Sequence, residues 1–382
     1  MIRAQFLGGI GGAAGATQIA QIAPYTAALR LAVVAPQSGD DRNVGKQLVD
    51  GVRAAVEEAN RMRSSFDRAL IFDTYDDHNT AADATVQAGF ACNYPDCVAV
   101  SGHLSASATL ATEQIYASAS MPLIVPTVTD DRITAKGYRN VFRLPTKDSD
   151  EGGLLASYAI TIVGSKAPHV VTQDGDYGAD VAAGFIRFAG ALRVNAEGTR
   201  FPIDKPDFAQ AAGNVLEHKP DCVALAGNAE DMGPLLGVLR AKGFTGRFLG
   251  TQGFFDALTV GKYAKDAEGI VVSTSVPYYP LAPTASRDVS DYQSRYGRLT
   301  PVAAFGYAAA QLVRLASRRT GATSRLGIVR SLATGGNYDT ITGSYTFGPY
   351  GDVVSPNCYF YAVHDGKFAY ERQAHPSGFM LK

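Results

Sequence analysis

The sequence lacks the features that mark several classes of protein. Its 382 residues carry a formal net charge of −1, so no basic excess indicates binding to nucleic acid. No apolar run reaches the roughly 18 residues that a membrane-spanning helix needs. The metalloprotease, P-loop and nucleophile-elbow motifs are missing, and the six histidines are scattered along the chain. We therefore expect no catalytic residues, no metal, no cofactor and no nucleic-acid partner.

The four cysteines do not have the spacing of a zinc site. Cys92 and Cys97 lie five residues apart across a predicted helix-to-strand connection, and we expect a small disulfide between them if the protein is exported. Cys222 and Cys358 fall in predicted strands, which favours buried thiols at both positions.

The first 28 residues differ in composition from the rest of the chain. They contain one basic residue, Arg3, and a stretch from 6 to 20 that is rich in glycine and alanine; the first acidic residue is Asp40. This pattern is typical of a secretory signal, so we interpret residues 1–28 as a signal peptide-like segment and expect export. Gly9, Gly11 and Ala14 also fit a dinucleotide-binding pattern, but no predicted strand precedes them, so we reject that interpretation.

Short apolar runs alternate with helical patterns along most of the chain, which predicts βαβ units and parallel sheets. The alternation restarts after residues 141–145, and it stops after residues 276–280; we interpret both stretches as extended crossovers. Helices at 286–296, 301–319 and 325–332 are then expected to pack on the first half, and a terminal hairpin is expected around Asp365-Gly366.

This pattern predicts an α/β fold of two doubly wound, parallel-sheet lobes joined by a hinge of several strands. We expect residues 29–146 with 278–353 to form an N-terminal lobe, and residues 147–277 with 354–382 to form a C-terminal lobe. A ligand would be held between the two lobes.

Two loops rich in hydroxyl groups follow neighbouring predicted strands. Ser105, Ser107 and Thr109 follow the strand that begins at Cys97, and Thr127 and Thr129 follow the next one. Ligands bind at the carboxyl ends of such strands, and the first loop also opens a helix whose N-terminus suits an anion. Helix N-capping alone also explains serine and threonine here, so both interpretations stay open.

Four stretches in this order and spacing resemble the type I periplasmic binding proteins of the leucine/isoleucine/valine-binding family: GHLSASAT (102–109), IVPTVT (124–129), FRLPTKDSDEGG (142–153) and DGDYG (174–178). The resemblance covers residues 29–370. It implies a periplasmic solute receptor of an ABC importer that binds a small molecule, acts as a monomer and delivers its solute to a membrane permease. A ligand-sensing domain of a signalling or regulatory system is the alternative.

The resemblance also implies a ligand site, made of Ser105, Ala106, Ser107, Thr127, Thr129, Tyr177, Asn228 and Gln252. Ala106 stands where the family has a carboxylate-binding serine, and Gln252 stands where it has an acid that pairs with an α-amino group. A neutral amide lacks the strength of a charge-assisted hydrogen bond. The expected solute is therefore an amino acid, an amide or a small carboxylate. His103, in the same region, is either a ligand donor or an ordinary loop histidine.

Overall fold

The computed structural model describes residues 28–64, 67–277, 283–355, 358–375 and 378–379. The first sheet has five parallel strands in the order β2-β1-β3-β4-β5. Its strands are β1 (Leu29–Val34), β2 (Leu70–Tyr75), β3 (Cys97–Gly102), β4 (Leu123–Val125) and β5 (Val141–Arg143). The helices in this part of the chain are α1 (Arg42–Arg61), α2 (Ala81–Asn93), α3 (Ala106–Ser118) and the short α4 (Arg132–Ala135).

The second sheet has eight strands in the order β15-β14-β13-β10-β9-β8-β6-β7. Its parallel strands are β6 (Pro168–Gln173), β7 (Glu197–Phe201), β8 (Cys222–Ala226), β9 (Arg247–Gly250) and β10 (Val271–Thr274). The accompanying helices are α5 (Asp148–Ser157), α6 (Asp176–Ala191), α7 (Phe208–Glu217), α8 (Ala229–Ala241) and α9 (Ala257–Val260). A π-helical segment, Tyr158–Ile162, continues α5, and a 3₁₀ turn, Gln252–Phe254, follows β9.

The remaining elements return first to one sheet and then to the other. They are α10 (Pro283–Tyr296), α11 (Pro301–Thr320), α12 (Arg325–Thr334), the hairpin of β11 (Tyr338–Thr340) and β12 (Gly343–Tyr345), and then β13 (Cys358–His364), β14 (Lys367–His375) and β15 (Gly378–Phe379). Helices α10 to α12 pack in the core of the first sheet, which confirms the prediction. The hairpin at Asp365-Gly366 is also confirmed, and its first strand runs antiparallel to β10. The second sheet is therefore mixed rather than wholly parallel.

Side chains of each central strand alternate between two cores. Leu31 and Val33 of β1 pack with α1 and α11, whereas Ala32 and Val34 pack with α2 and α3. The same alternation occurs on β8 in the second sheet. Alternation follows from the two-residue period of a strand, and burial on both faces explains why these strands are continuous apolar runs. We call the first sheet with its helices the first lobe, and the second sheet with its helices the second lobe.

Two edge strands are among the elements that differ from the sequence prediction. Val141–Arg143, expected as a crossover, pairs with β4 as the edge strand of the first sheet, so only the following few residues cross to the second lobe. Strand β7 was not predicted, because only Thr199 and Phe201 of its five residues are buried and the apolar pattern is therefore weak. Both are edge strands, whose short or half-exposed sequences carry little apolar signal.

The predicted Cys92–Cys97 disulfide is absent, and both residues are free thiols. The Cys97 thiol is buried in the core beneath α2, where it donates to the Ala99 carbonyl oxygen at 3.5 Å. Burial raises the pKa of the Cys97 thiol to about 11, which disfavours the thiolate that disulfide exchange requires. Cys222 and Cys358 are buried free thiols, as predicted.

Two predictions concern the membrane and export. None of the helices in the described residues is both long enough and apolar enough to cross a bilayer. The signal-like segment lies outside the described residues, apart from its last position.

Candidate functional site

Loops from the two lobes meet at a cavity of about 350 Å³. Its lining in the described chain consists of Leu104, Ala106, Thr127, Val128, Thr129, Asp130, Arg132, Asp148 and Tyr177. Thr129 belongs to the loop after β4 in the first lobe, and Tyr177 belongs to the first turn of α6 in the second. These two residues therefore border the same space, as the hypothesis of a ligand cleft between lobes requires.

Leu104, in the loop before α3, and Ala106, the first residue of α3, line the cavity. The Ser105 side chain caps α3 by accepting a hydrogen bond from the Ala108 N–H at 3.4 Å, and it lies 3.3 Å from the Ser107 hydroxyl. Ser107 is exposed, and neither serine is among the described lining residues. N-capping is thus the role that the structure assigns to Ser105, and the serines do not compensate for Ala106 in this conformation.

The loop from Thr127 to Asp130 is held from behind by the buried guanidinium of Arg143. This side chain donates to the carbonyl oxygens of Thr129 at 2.9 Å and Asp130 at 2.5 Å. It also donates to the Asp352 carboxylate from two nitrogens, at 2.9 and 2.6 Å. The Thr127 hydroxyl is buried and has no hydrogen-bond partner among the described residues. Thr127 thus lines the cavity and carries a buried hydroxyl whose hydrogen-bonding capacity is unused among the described residues.

Asp148 begins α5 directly after the crossover, and its backbone N–H donates to the Thr129 carbonyl oxygen at 3.0 Å. The side chain is 2% exposed, and its Oδ1 has no hydrogen-bond partner within the described ranges. Burial is the main cause that raises the pKa of this carboxyl to about 8, and the nearby carboxylates of Glu151 and Asp131 raise it as well. A hydrogen bond from the Thr129 hydroxyl and the positive charge of Arg143 lower the pKa and offset part of this shift. A buried carboxyl with an open acceptor position thus lines the cavity.

Glu151, one turn further along α5, supports the second-lobe wall. Its buried carboxylate accepts hydrogen bonds from the Gln252 backbone N–H at 2.7 Å, the Ser273 hydroxyl at 2.6 Å and the Tyr177 hydroxyl at 3.2 Å. Burial raises the pKa of the Glu151 carboxyl. This carboxylate consequently fixes the position of the Tyr177 ring relative to α5.

Sequence reasoning missed both Asp148 and Glu151. Their spacing of three residues places the two carboxylates on one face of a helix, which was the available signal. Acidic residues in a first helical turn are so common near the positive end of the helix dipole that they carry little specific information.

Several predicted ligand contacts lie elsewhere. The Asn228 side chain is exposed and caps α8, with Oδ1 accepting from the Asp231 N–H at 2.9 Å. Gln252 enters the site's hydrogen-bond network through its backbone, and its side chain is not among the described lining residues. His103 is fully buried, with its ring nitrogens 2.5 Å from an Asp77 oxygen and 3.1 Å from the Tyr116 hydroxyl. It is therefore a satisfied core histidine and not a ligand donor.

A wider crevice of about 720 Å³ adjoins this cavity and shares Arg132 with it. Charged residues of the first lobe line one side, including Asp131 and Lys136, and Asp180 of α6 lines the other. Within the described ranges, no group of three or more histidine, cysteine, aspartate or glutamate side chains is arranged to hold a metal ion.

Comparisons with known proteins identify the family of this chain. The sequence model of the periplasmic binding protein family matches residues 28–367. The leucine-specific-binding protein of Salmonella typhimurium is 25% identical over 334 residues, which are 85% of this chain and 88% of that protein.

Solved structures show the same fold. The branched-chain amino acid transporter substrate binding protein LivJ from Streptococcus pneumoniae, in complex with isoleucine, superposes with a TM-score of 0.75 at 22% identity, over 92% of this chain and 100% of that chain. A solute binding protein of an ABC transporter from R. palustris, in complex with benzoate, gives a TM-score of 0.73 at 19% identity, over 93% and 98% of the two chains. The chain therefore belongs to the periplasmic binding protein family; it is a type I solute-binding protein and not an enzyme.

Proposed function

We propose that this protein is the exported receptor of an ABC importer and that it binds a small polar solute in the cavity between its lobes. The observation that carries the proposal is the position of Thr129 and Tyr177 on opposite lobes around one cavity of about 350 Å³. A cavity of this size and mixed lining is typical of small-molecule sites.

Binding proceeds by capture on the first lobe followed by closure of the second. The Thr127 hydroxyl and the backbone N–H groups at the start of α3 contact the solute first, and Tyr177, held by Glu151, then completes the pocket. The lobes comprise residues 29–146 with 278–353 and residues 147–277 with 354–382, and they move about the crossovers between them. The solute favours the closed form because it contacts both lobes only in that form.

The solutes named for the compared proteins reduce the number of chemical classes of solute that need to be tested. Leucine, isoleucine and benzoate all carry a carboxylate. A carboxylate suits the free N–H groups and positive dipole end at the start of α3, which has 13 residues. We therefore expect an amino acid or another small carboxylate in preference to an amide.

The partner of the closed form is a membrane permease, and we expect the receptor to act as a monomer in the periplasm. The alternative, a ligand-sensing domain of a regulatory system, would bind its solute with the same lobes but deliver it to no permease. Uptake of labelled solute into cells that lack and then regain the gene distinguishes the two.

Titration calorimetry of the full chain against leucine, isoleucine, benzoate and their amides tests the binding site. We expect a one-to-one complex with at least one of them, together with a smaller radius of gyration in X-ray scattering. Thr127→Val and Tyr177→Phe should each weaken that complex. Absence of binding by every compound, or binding that survives both substitutions unchanged, would contradict the proposal.

A further inference from the structure

We propose that Asp148 receives a protonated nitrogen of the solute, so that this receptor selects ligands that carry an ammonium group. The inference rests on the proposed function, because it names the solute class of the same cavity. Neither the sequence prediction nor the resemblance assigns a ligand contact to Asp148.

The buried Asp148 carboxyl has an open hydrogen-bonding position. Asp148 is 2% exposed, lines the cavity, and has no described hydrogen-bond partner for Oδ1. A buried carboxylate that lacks a full set of partners is costly, so such a group is normally neutralised or paired. A donor entering the cavity would supply the missing partner, and an ammonium group would supply both the donor and the opposite charge.

The charged groups that line the cavity include more acids than bases. The lining contains the carboxyl groups of Asp130 and Asp148 and the guanidinium of Arg132. Arg132 donates to both oxygens of Asp130, with its Nη2 at 2.6 Å from Oδ2. With Asp148 ionised, the described lining therefore carries two carboxylates and one guanidinium.

Arg143, a buried cation near Asp148, donates its described hydrogen bonds to other groups. Arg143 is 1% exposed, and its described hydrogen bonds go to Thr129, Asp130, Thr134 and Asp352. The guanidinium thus serves the loop and the Asp352 carboxylate. An ammonium group of the solute would supply Asp148 with a hydrogen-bonded cation.

The position of Asp148 also accounts for the neutral residue at 252. The resemblance predicts the acid that pairs with an amino group at Gln252, on the second lobe. In this chain the cavity-lining carboxyl is instead supplied by the first residue of α5, beside Thr129. The ammonium group would therefore bind close to the crossover and to the first-lobe loop.

The proposal requires affinity to depend on pH. Burial favours the protonated Asp148 carboxyl in the empty cavity, with a pKa raised to about 8. The titratable and charged groups around it are Asp130, Asp131, Arg132, Arg143, Glu151 and Tyr177. An ammonium ligand favours the carboxylate, so binding releases a proton and affinity rises with pH up to about 8, by at most about tenfold per pH unit.

Matched pairs of probes test the inference by calorimetry on the full chain. The pairs are leucine with 4-methylpentanoate, 4-aminobutyrate with butyrate, and benzylamine with benzyl alcohol; in the first two the second member lacks only the amino group. At pH 8 we expect the amine to bind at least tenfold more tightly in at least one pair. We expect its affinity to rise between pH 6 and pH 8.

The substitution Asp148→Asn keeps the shape of the side chain and removes the charge. We expect it to weaken amine binding at least tenfold and to abolish the pH dependence. Asp150→Asn, two residues along the same helix and outside the cavity lining, is the matched control and should leave both properties unchanged. If Asp148→Asn does not fold, the pH series on the unaltered protein still decides, because a pH-independent amine affinity overturns the inference.

The results that would contradict the role of Asp148 differ from those that would contradict the proposed function. Equal or tighter binding of the amine-lacking member in every pair that binds would overturn the role of Asp148 and leave the receptor function standing. Retention of the amine preference by Asp148→Asn would do the same. Absence of binding by all six probes would overturn this inference, and absence of binding by isoleucine, benzoate and the amides as well would overturn the proposed function.

Discussion

The Arg143 guanidinium donates to the Thr129 carbonyl oxygen at 2.9 Å, so a buried cation on an edge strand holds the loop that borders the ligand cavity. The same guanidinium forms a fork on Asp352, which lies in the segment after β12. The shape of the first-lobe wall therefore depends on a side chain that does not line the cavity.

We predict that Arg143→Met strongly destabilises the protein and weakens solute binding. The Asp352 carboxylate is 34% exposed and regains water when the guanidinium is removed. The cost, about 1–3 kcal/mol for each buried acceptor left unpaired, therefore comes mainly from the Thr129 and Asp130 carbonyl oxygens, which lose their donor. Urea denaturation measures the stability, and calorimetry measures the affinity. Arg53→Met, which removes a half-exposed side chain 3.7 Å from Asp50, is the control and should change neither. An Arg143→Met protein with unaltered stability would show that this network is dispensable.

Glu151→Leu should impair the second-lobe wall. The substitution leaves the Tyr177 and Ser273 hydroxyls and the Gln252 N–H without their acceptor, at about 1–3 kcal/mol for each donor that stays buried and unpaired. We expect a lower melting temperature and weaker solute binding. Glu151→Gln keeps an oxygen acceptor and should retain much more of both. Equal behaviour of the two variants would argue against a hydrogen-bonding role.

The packing of α5 on α6 yields a prediction from two glycines. A Cβ added to Gly152 would lie 2.0 Å from the Val181 carbonyl oxygen, so Gly152→Ala has to push the helices apart. Because α5 carries Asp148 and α6 carries Tyr177, we expect a loss of about 1–3 kcal/mol in the free energy of unfolding, together with weaker solute binding.

Gly190, also on α6, provides the matched control for that substitution. A Cβ at Gly190 would have no atom within 4 Å, so Gly190→Ala should be neutral or stabilise the helix by up to about 1 kcal/mol. Thermal unfolding of both variants measures the difference. If Gly152→Ala were as stable as Gly190→Ala, close approach of the two helices would not be required.

The stability of the empty protein should fall as pH rises, in part because of Asp148. Its carboxyl has a pKa raised from 3.8 to about 8 in the folded state, mainly by burial. The folded state therefore holds a proton that the unfolded chain releases, and this contribution is lost between about pH 4 and pH 8.

Asp148→Asn should accordingly reduce this loss and unfold at a higher urea concentration than the unaltered protein at pH 8, by about 1–3 kcal/mol in the free energy of unfolding. At pH 4 the two proteins should differ much less. Urea denaturation at both pH values is the measurement, with the exposed residue Asp204 changed to Asn as control. A variant less stable than the unaltered protein at pH 8 would contradict this account of the buried carboxyl.

The sequence predicted those elements whose apolar pattern is set by burial on both faces. β1 and β8 are continuous apolar runs because each contacts two cores, and the alternation of such runs with helices was sufficient for the α/β fold. Edge strands were harder to predict from the sequence, because β5 has only three residues and β7 buries only one side. Their identity depends on pairing with a neighbour, which no local pattern encodes.

Some residues of the candidate site were likewise predictable from the sequence, and others were not. Thr127, Thr129 and Tyr177 were predictable because residues at the carboxyl ends of strands and at the start of the next helix converge. The roles of Asp148 and Glu151 depend on how deeply the first turn of α5 is buried between two lobes, and that depth arises only from tertiary packing. Asn228 and Ser105 were predicted as ligand residues, but their side chains cap helices instead. The same polar side chains suit a cap and a ligand equally well, so the sequence does not distinguish the two roles.

The first turn of α5 contacts both walls of the candidate ligand cavity. The Asp148 backbone N–H donates a hydrogen bond to the Thr129 carbonyl oxygen, and the Glu151 carboxylate accepts one from the Tyr177 hydroxyl. Redesign of this receptor for a new solute should therefore leave that turn intact and vary Leu104, Ala106 and Val128. Changes at these three side chains alter the size of the cavity without removing the hydrogen bonds by which the turn supports both walls.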